Sequence, residues 1–135
     1  MKKFIDPYIK KKSHKSNELF QYFPDTNIPL PSEIEISESG TCNRKCSFCP
    51  RSADDFLDVK EFINTNLILK LVTELKNYNF KGTIRFSGFV EPLLDKNIYN
   101  LIKICRTTLQ FSNIEIVTNG DVLNLNRLKK LFESG

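Results

Sequence analysis

No apolar run in this sequence approaches the roughly 20 residues needed to cross a bilayer, so a membrane-spanning helix is excluded. The N-terminal stretch MKKFIDPYIKKKSHK is rich in lysine but lacks the apolar centre of a secretory signal, and a cytoplasmic location is expected. Histidine occurs once, as His14, which leaves metal binding to other side chains. There is no internal repeat of fixed period and no low-complexity tract. A basic stripe for nucleic acid is missing too. The formal charge of +4 comes from six lysines against Asp6 in the first fifteen residues; the remainder holds 14 basic and 15 acidic residues, a net of −1. The lysine run reads as a solvated, mobile tail. Cysteine is sparse, four in 135 residues, and a reducing compartment keeps such thiols free. Three of the four are clustered, which points to metal or redox chemistry and away from disulfides.

What is present is one domain's worth of chain with a clear division. Residues 1–32 form a basic, proline-containing extension, with Pro24, Pro29 and Pro31 disfavouring regular structure. From residue 33 the pattern is regular. EIEIS (33–37) alternates as a strand does, GTIRFSG (82–88) is a second strand and IEIVT (114–118) a third. Apolar residues at 67, 68, 71, 72, 75 and 78 predict a helix over 64–78, capped by Asn64 or Thr65. Positions 98, 101, 102, 105 and 109 predict another over 95–109 opened by Asp95, and a third runs over 124–135 from Asn124 to Gly135. The order βαβαβα implies an α/β fold with a parallel sheet, either a small open sheet or the first half of a larger barrel. A (β/α) barrel needs some 200 residues or more, and the chain stops where a fourth strand is expected, so residues 33–135 read as the N-terminal portion of a truncated core.

Three polar or glycine-bearing stretches follow the three strands: SGTCNRKCSFCP, SGFVEP and TNGD. In parallel α/β folds that edge is where ligands bind. Cys42, Cys46 and Cys49 have the spacing C-x3-C-x2-C on one short loop. A closed zinc site or an ordinary iron–sulfur cluster takes four protein ligands. Cys105 lies on the apolar face of the second helix and reads as a small buried hydrophobe. Three ligands then leave one position open, and an open position on a cluster is a site for a small molecule.

CNRKCSFCP, with an aromatic before its last cysteine, resembles the cluster motif of the radical S-adenosylmethionine (radical SAM) superfamily. RFSGFVEPLL (85–94) resembles the family's glycine-rich segment before Glu-Pro, and IVTNGD (116–121) its TNG segment. The resemblance covers residues 33–135 and implies a partial TIM-like barrel. It implies that Cys42, Cys46 and Cys49 hold a 4Fe–4S cluster whose fourth iron is chelated by S-adenosylmethionine. It places Phe48 near the adenine. Ser87, Gly88, Phe89 and Glu91 would receive the methionine amino group, with Thr118 and Asn119 facing the same pocket. It implies a reaction in which an external one-electron donor, flavodoxin- or ferredoxin-like, reduces the cluster. S-adenosylmethionine is then cleaved to a 5′-deoxyadenosyl radical that abstracts hydrogen from a substrate, a peptide or a carbohydrate-pathway metabolite. Val90 stands where the family carries glycine, so either the glycine conformation is not required here or the cofactor is held less tightly. Two other readings stand beside this one: a non-catalytic cysteine module holding a metal such as zinc, and an inactive truncated relative that needs a partner chain.

Overall fold

A computed structural model of the chain describes residues 22–135, so the lysine run, His14 and most of the N-terminal extension lie outside the described residues. The chain divides after Ser32. In the short described part before that point, the chain turns through Asp25, at φ +58°, and Tyr22 bridges Pro29 in antiparallel sense.

Residues 33–135 hold three parallel strands in sequential order: β1 (Glu33–Ile36), β2 (Thr83–Phe86) and β3 (Asn113–Ile116). Each is four residues long, shorter than its sequence pattern, and β3 begins one residue before the expected 114–118. Between and after them run α1 (Thr65–Asn77), α2 (Ile98–Thr108) and α3 (Leu125–Ser134). Asn64 caps α1, its side chain accepting from the Asn66 amide at 2.8 Å. Asn64→Ala is expected to cost about 1 kcal/mol of stability, read as a lower denaturant midpoint. The far end of α1 closes with Asn79 at φ +53°. There the Phe80 amide returns to the Leu75 carbonyl at 3.0 Å and the Asn79 amide to that of Lys76 at 2.9 Å. That pairing satisfies the last carbonyls and packs Phe80 under the helix. The helix expected from Asp95 begins instead at Ile98. Pro92–Leu94 forms a 3-10 turn, and the Asp95 side chain accepts from the Asn97 amide at 2.8 Å.

The helices bury one stripe each. Ile68, Val72 and Leu75 of α1 and Ile98, Leu101, Ile102 and Cys105 of α2 meet Ile36, Ile84 and Phe86 of the sheet in one core. The α1 stripe is narrower than the spacing suggests: Leu67 and Tyr78 are exposed. Cys105 is fully buried, and burial pushes its thiol up to about 11, so it is an inert core residue. In α3, Leu131 packs on the core while Leu125, Leu128 and Phe132 stay exposed.

All this apolar packing lies on one face of the sheet. The other face carries Glu33, Glu35, Arg85 and Glu115, the alternate residues of the three strands. A doubly wound sheet covers both faces with helices and needs apolar residues on each. Helices on one face of sequential parallel strands are the arrangement of part of a TIM-like barrel. No helix among the described residues is long and apolar enough to cross a membrane.

Candidate active site at the carboxyl edge of the sheet

The three loops that leave the carboxyl ends of β1, β2 and β3 are tied to one another. The first is the cysteine loop. It is closed at its base where Ser39 bridges Phe62, the Gly40 amide donates to Glu61 at 3.1 Å and the Ile63 amide to Glu38 at 2.7 Å. Gly40 is required there, since a Cβ would stand 2.0 Å from the Val59 carbonyl oxygen. Within the loop the Cys49 amide donates to the Cys46 carbonyl at 2.9 Å, a tight turn through Ser47 and Phe48. Pro50–Ser52 then forms a 3-10 turn.

Cys42, Cys46 and Cys49 are free thiols, each half-buried. Two N–H groups point at the Cys42 sulfur: the Arg44 amide at 3.4 Å and the Asn119 side-chain amide at 3.9 Å. No three histidine, cysteine or carboxylate groups among the described residues converge on a point as the ligands of a single ion do. An iron–sulfur cluster does not ask for that convergence, because each thiolate bonds a different iron. Three free sulfurs on one loop therefore fit a cluster in number and softness.

The second loop opens at Gly88, whose φ of +114° favours glycine and whose Cβ would meet the Ser37 hydroxyl at 2.2 Å. The Ser37 hydroxyl donates to the Ser87 carbonyl at 3.0 Å. Val90 is not among the residues of positive φ; the special backbone conformation falls at Gly88, two residues earlier. Ser87, Gly88 and Phe89, together with Glu35, Ser37, Arg85 and Val117, line an open cleft of about 460 Å³ on the helix-free face.

Glu91 is placed differently from the role the resemblance suggests. Its side chain is 1 % exposed and its oxygens are occupied by the protein. Oε1 accepts from the Thr118 hydroxyl at 2.6 Å and the Leu93 amide at 3.0 Å, and Oε2 from the Asn119 amide at 2.7 Å. Its own amide donates to the Thr41 carbonyl at 2.8 Å. In this structure the carboxylate clasps the second loop to the third, and the Glu91 backbone amide ties both to the base of the first.

The third loop is clasped to the cysteine loop a second time. Asn119 donates to the Asn43 side chain at 2.9 Å, and Asn43 donates to Asp121 at 3.0 Å. Arg44 pairs with Asp121 through Nε at 2.7 Å and through Nη2. These hydrogen bonds hold the Asp121 carboxyl below the usual carboxylate range. Structure thus brings Cys42, Glu91, Thr118 and Asn119 together, and sets Ser87, Gly88 and Phe89 along the neighbouring cleft. Phe48 stands apart, with a side chain 89 % exposed at the tip of the cysteine loop.

Several residues of the site carry no signal in a motif. Glu38, just after β1, is fully buried, and burial pushes its carboxyl up to about 7, with the charges of Asp95 and Glu91 adding to the effect. Ser39 donates to its Oε1 at 3.1 Å, while Oε2 and the Asp95 Oδ2 have no partner. Arg85, in the central strand, pairs with Glu33 at 2.6 Å and Glu115 at 2.7 Å across the cleft face. Its signal lay in the alternation of EIEI, TIRF and NIEI, which puts charge on one face of three parallel strands. Arg51 is buried in the 3-10 turn that follows Cys49.

Residues 36–135 match the family described as the radical SAM superfamily. Among characterised proteins, the chain is 34 % identical over 106 residues to the S-adenosyl-L-methionine-dependent 2-deoxy-scyllo-inosamine dehydrogenase of Niallia circulans, across 78 % of this chain and 42 % of that protein. It is 30 % identical over 103 residues to the GTP 3′,8-cyclase of Clostridium perfringens (strain SM101 / Type A), across 76 % of this chain and 31 % of that one. Among solved structures it resembles BtrN in complex with AdoMet and 2-DOIA, with a TM-score of 0.73 at 33 % identity over 78 % of this chain and 43 % of that chain. The same protein in an open conformation gives a TM-score of 0.70, over 78 % and 47 %. The chain spans less than half the length of these relatives.

Proposed function

Since the chain belongs to the radical SAM superfamily, we propose that it is the cluster-bearing part of a radical enzyme, with Cys42, Cys46 and Cys49 as the cluster ligands. The observation that carries this reading is the cysteine loop itself: three free thiols and no fourth, clasped to two further loops at the edge where this fold binds ligands. When bound, the 4Fe–4S cluster supplies an electron that cleaves S-adenosylmethionine into methionine and a 5′-deoxyadenosyl radical, which takes a hydrogen atom from the substrate.

The chain's own residues prepare the place for that chemistry. N–H groups of Arg44 and Asn119 lie against the Cys42 sulfur and fix its place in the loop. Gly88 lets the backbone of residues 87–89 approach a ligand closely, and the cleft beside it is open to the methionine end of the cofactor. That backbone, with Glu91 behind it, is the proposed seat of the methionine amino group; three of the chain's own donors already hold the Glu91 oxygens in place. Phe48, exposed beside the cysteines, is free to cover the adenine. Thr118 and Asn119 order the third loop against the first. An external flavodoxin- or ferredoxin-like protein is the proposed donor. The substrate class proposed is a peptide or a carbohydrate-pathway metabolite, the latter in keeping with the resemblance to an aminocyclitol dehydrogenase. A cytoplasmic setting belongs to the same reading.

Anaerobic reconstitution with iron and sulfide is expected to load about four of each per chain. The reduced protein should give an electron paramagnetic resonance (EPR) signal that changes when S-adenosylmethionine is added. Alanine at Cys42, Cys46 or Cys49 should remove nearly all bound iron. Zinc uptake without iron and sulfide, or cluster retention in the alanine variants, would refute the assignment.

A further inference from the structure

Arg51 sits two residues beyond Cys49, and its side chain is 4 % exposed. Nη1 donates both to the Gly40 carbonyl at 3.1 Å and to the Phe89 carbonyl at 3.0 Å. Nη2 pairs with Asp58, and the guanidinium lies 5.0 Å from the centre of the Phe56 ring. Nε is buried without a partner. Gly40 is the entry to the cysteine loop, and Phe89 belongs to the glycine-bearing loop after β2. One side chain therefore spans from the exit of the cysteine motif to its entry and to the loop that lines the cleft.

Stability alone is a poor account of this placement. A buried cation costs desolvation, its single counter-charge is half-exposed, and one of its donors goes unused. An apolar side chain of similar size would fill the same space. What the guanidinium offers is a planar set of donors that reaches two carbonyls and a carboxylate from one point, and a lysine cannot reproduce that.

We propose that Arg51 is a positioning residue: it fixes the cysteine loop against residues 87–89, and so sets where a cofactor chelated at the open iron meets that backbone. The inference rests on the cluster assignment above. It goes beyond that assignment in naming the side chain that sets the register between the two loops.

The test is a titration of the reduced, reconstituted protein, at the full length its gene encodes, with S-adenosylmethionine, read by the change in the cluster's EPR signal. Arg51→Gln and Arg51→Lys are expected to load iron and sulfide but to need about 10- to 100-fold more cofactor for the same change, the usual range for an outer residue that orients a metal site. Asp58→Ala leaves the buried arginine in place and removes one of its three ties; a several-fold weakening is expected, and this variant carries the test should the Arg51 variants fail to fold. Variants that hold a cluster and titrate like the unsubstituted protein would overturn the proposal and leave the cluster assignment intact. An unsubstituted protein whose cluster signal ignores the cofactor would overturn the proposal and leave the ligation standing; one that loads no iron and sulfide would overturn both.

Discussion

Replacing Glu91 by alanine is expected to destabilise the protein by about 3–5 kcal/mol, the cost of leaving three neutral donors without their shared acceptor. Three donors lose their acceptor together: the Thr118 hydroxyl, the Asn119 amide and the Leu93 amide. Each buried donor left unpaired costs about 1–3 kcal/mol, less whatever water can reach. The injury also spreads along the edge. Without the clasp, Asn119 is no longer held against Cys42 and Asn43, so cluster retention should fall with stability. Urea unfolding would show a lower midpoint with unchanged slope. Glu91→Gln keeps one acceptor oxygen but turns an N–H group toward a donor, and should lie between the two. A loss below about 1 kcal/mol in the alanine variant would mean that the clasp does not hold the loops.

The second large effect concerns Glu38 and acidity. Its carboxyl is raised from 4.5 to about 7, first by burial and then by Asp95 and Glu91. Between those values the folded protein keeps a proton that the unfolded chain has released. The contribution is thus fully present below about pH 4.5, declines as pH rises and is gone above about pH 7. The fall amounts to about 3 kcal/mol across that window. Glu38→Gln has no proton to lose. Its stability at pH 8 relative to pH 5 should exceed that of the parent by a similar amount, with near equality at pH 5. Urea unfolding of both proteins at the two pH values gives the double difference, in which all other titrating groups cancel. A double difference near zero would mean that Glu38 is ionised in the folded protein.

Sequence patterns located the elements where local chemistry and packing agreed. The α2 stripe at 98, 101, 102, 105 and 109 is buried at every position, and Asn64 and Asn124 cap their helices. Edges were less legible. Asp95 looks like a helix opener, yet Pro92 sets a 3-10 turn whose geometry delays α2 to Ile98. The three motif-bearing loops do converge on one edge, because parallel strands put every strand-to-helix turn at the same end. What no spacing could disclose is which oxygen meets which donor. Glu91 is the plain case: a carboxylate beside a glycine-rich turn reads as a ligand group, and only the folded chain shows three of its own donors on it. Arg51 is the converse, a lone arginine after proline with no periodic pattern to mark it. Val90 needs no glycine conformation, since the backbone takes its positive φ at Gly88.

The row of charge across the cleft face has one more consequence, for how the strands find their partners. Short parallel strands rich in isoleucine can pair out of step, since Ile34, Ile36, Ile84, Ile114 and Ile116 repeat at the same interval. A slip of one residue in β2 would turn Arg85 into the core among the helices and bring Ile84 and Phe86 into the cleft. A slip of two would restore the sidedness but move the guanidinium by about 6–7 Å along the strand, away from at least one of Glu33 and Glu115. The acidic residues on both neighbouring strands thus leave the central arginine one position in which both of its present partners are in reach, so the same charges that line the cleft also count the strands into step as they assemble.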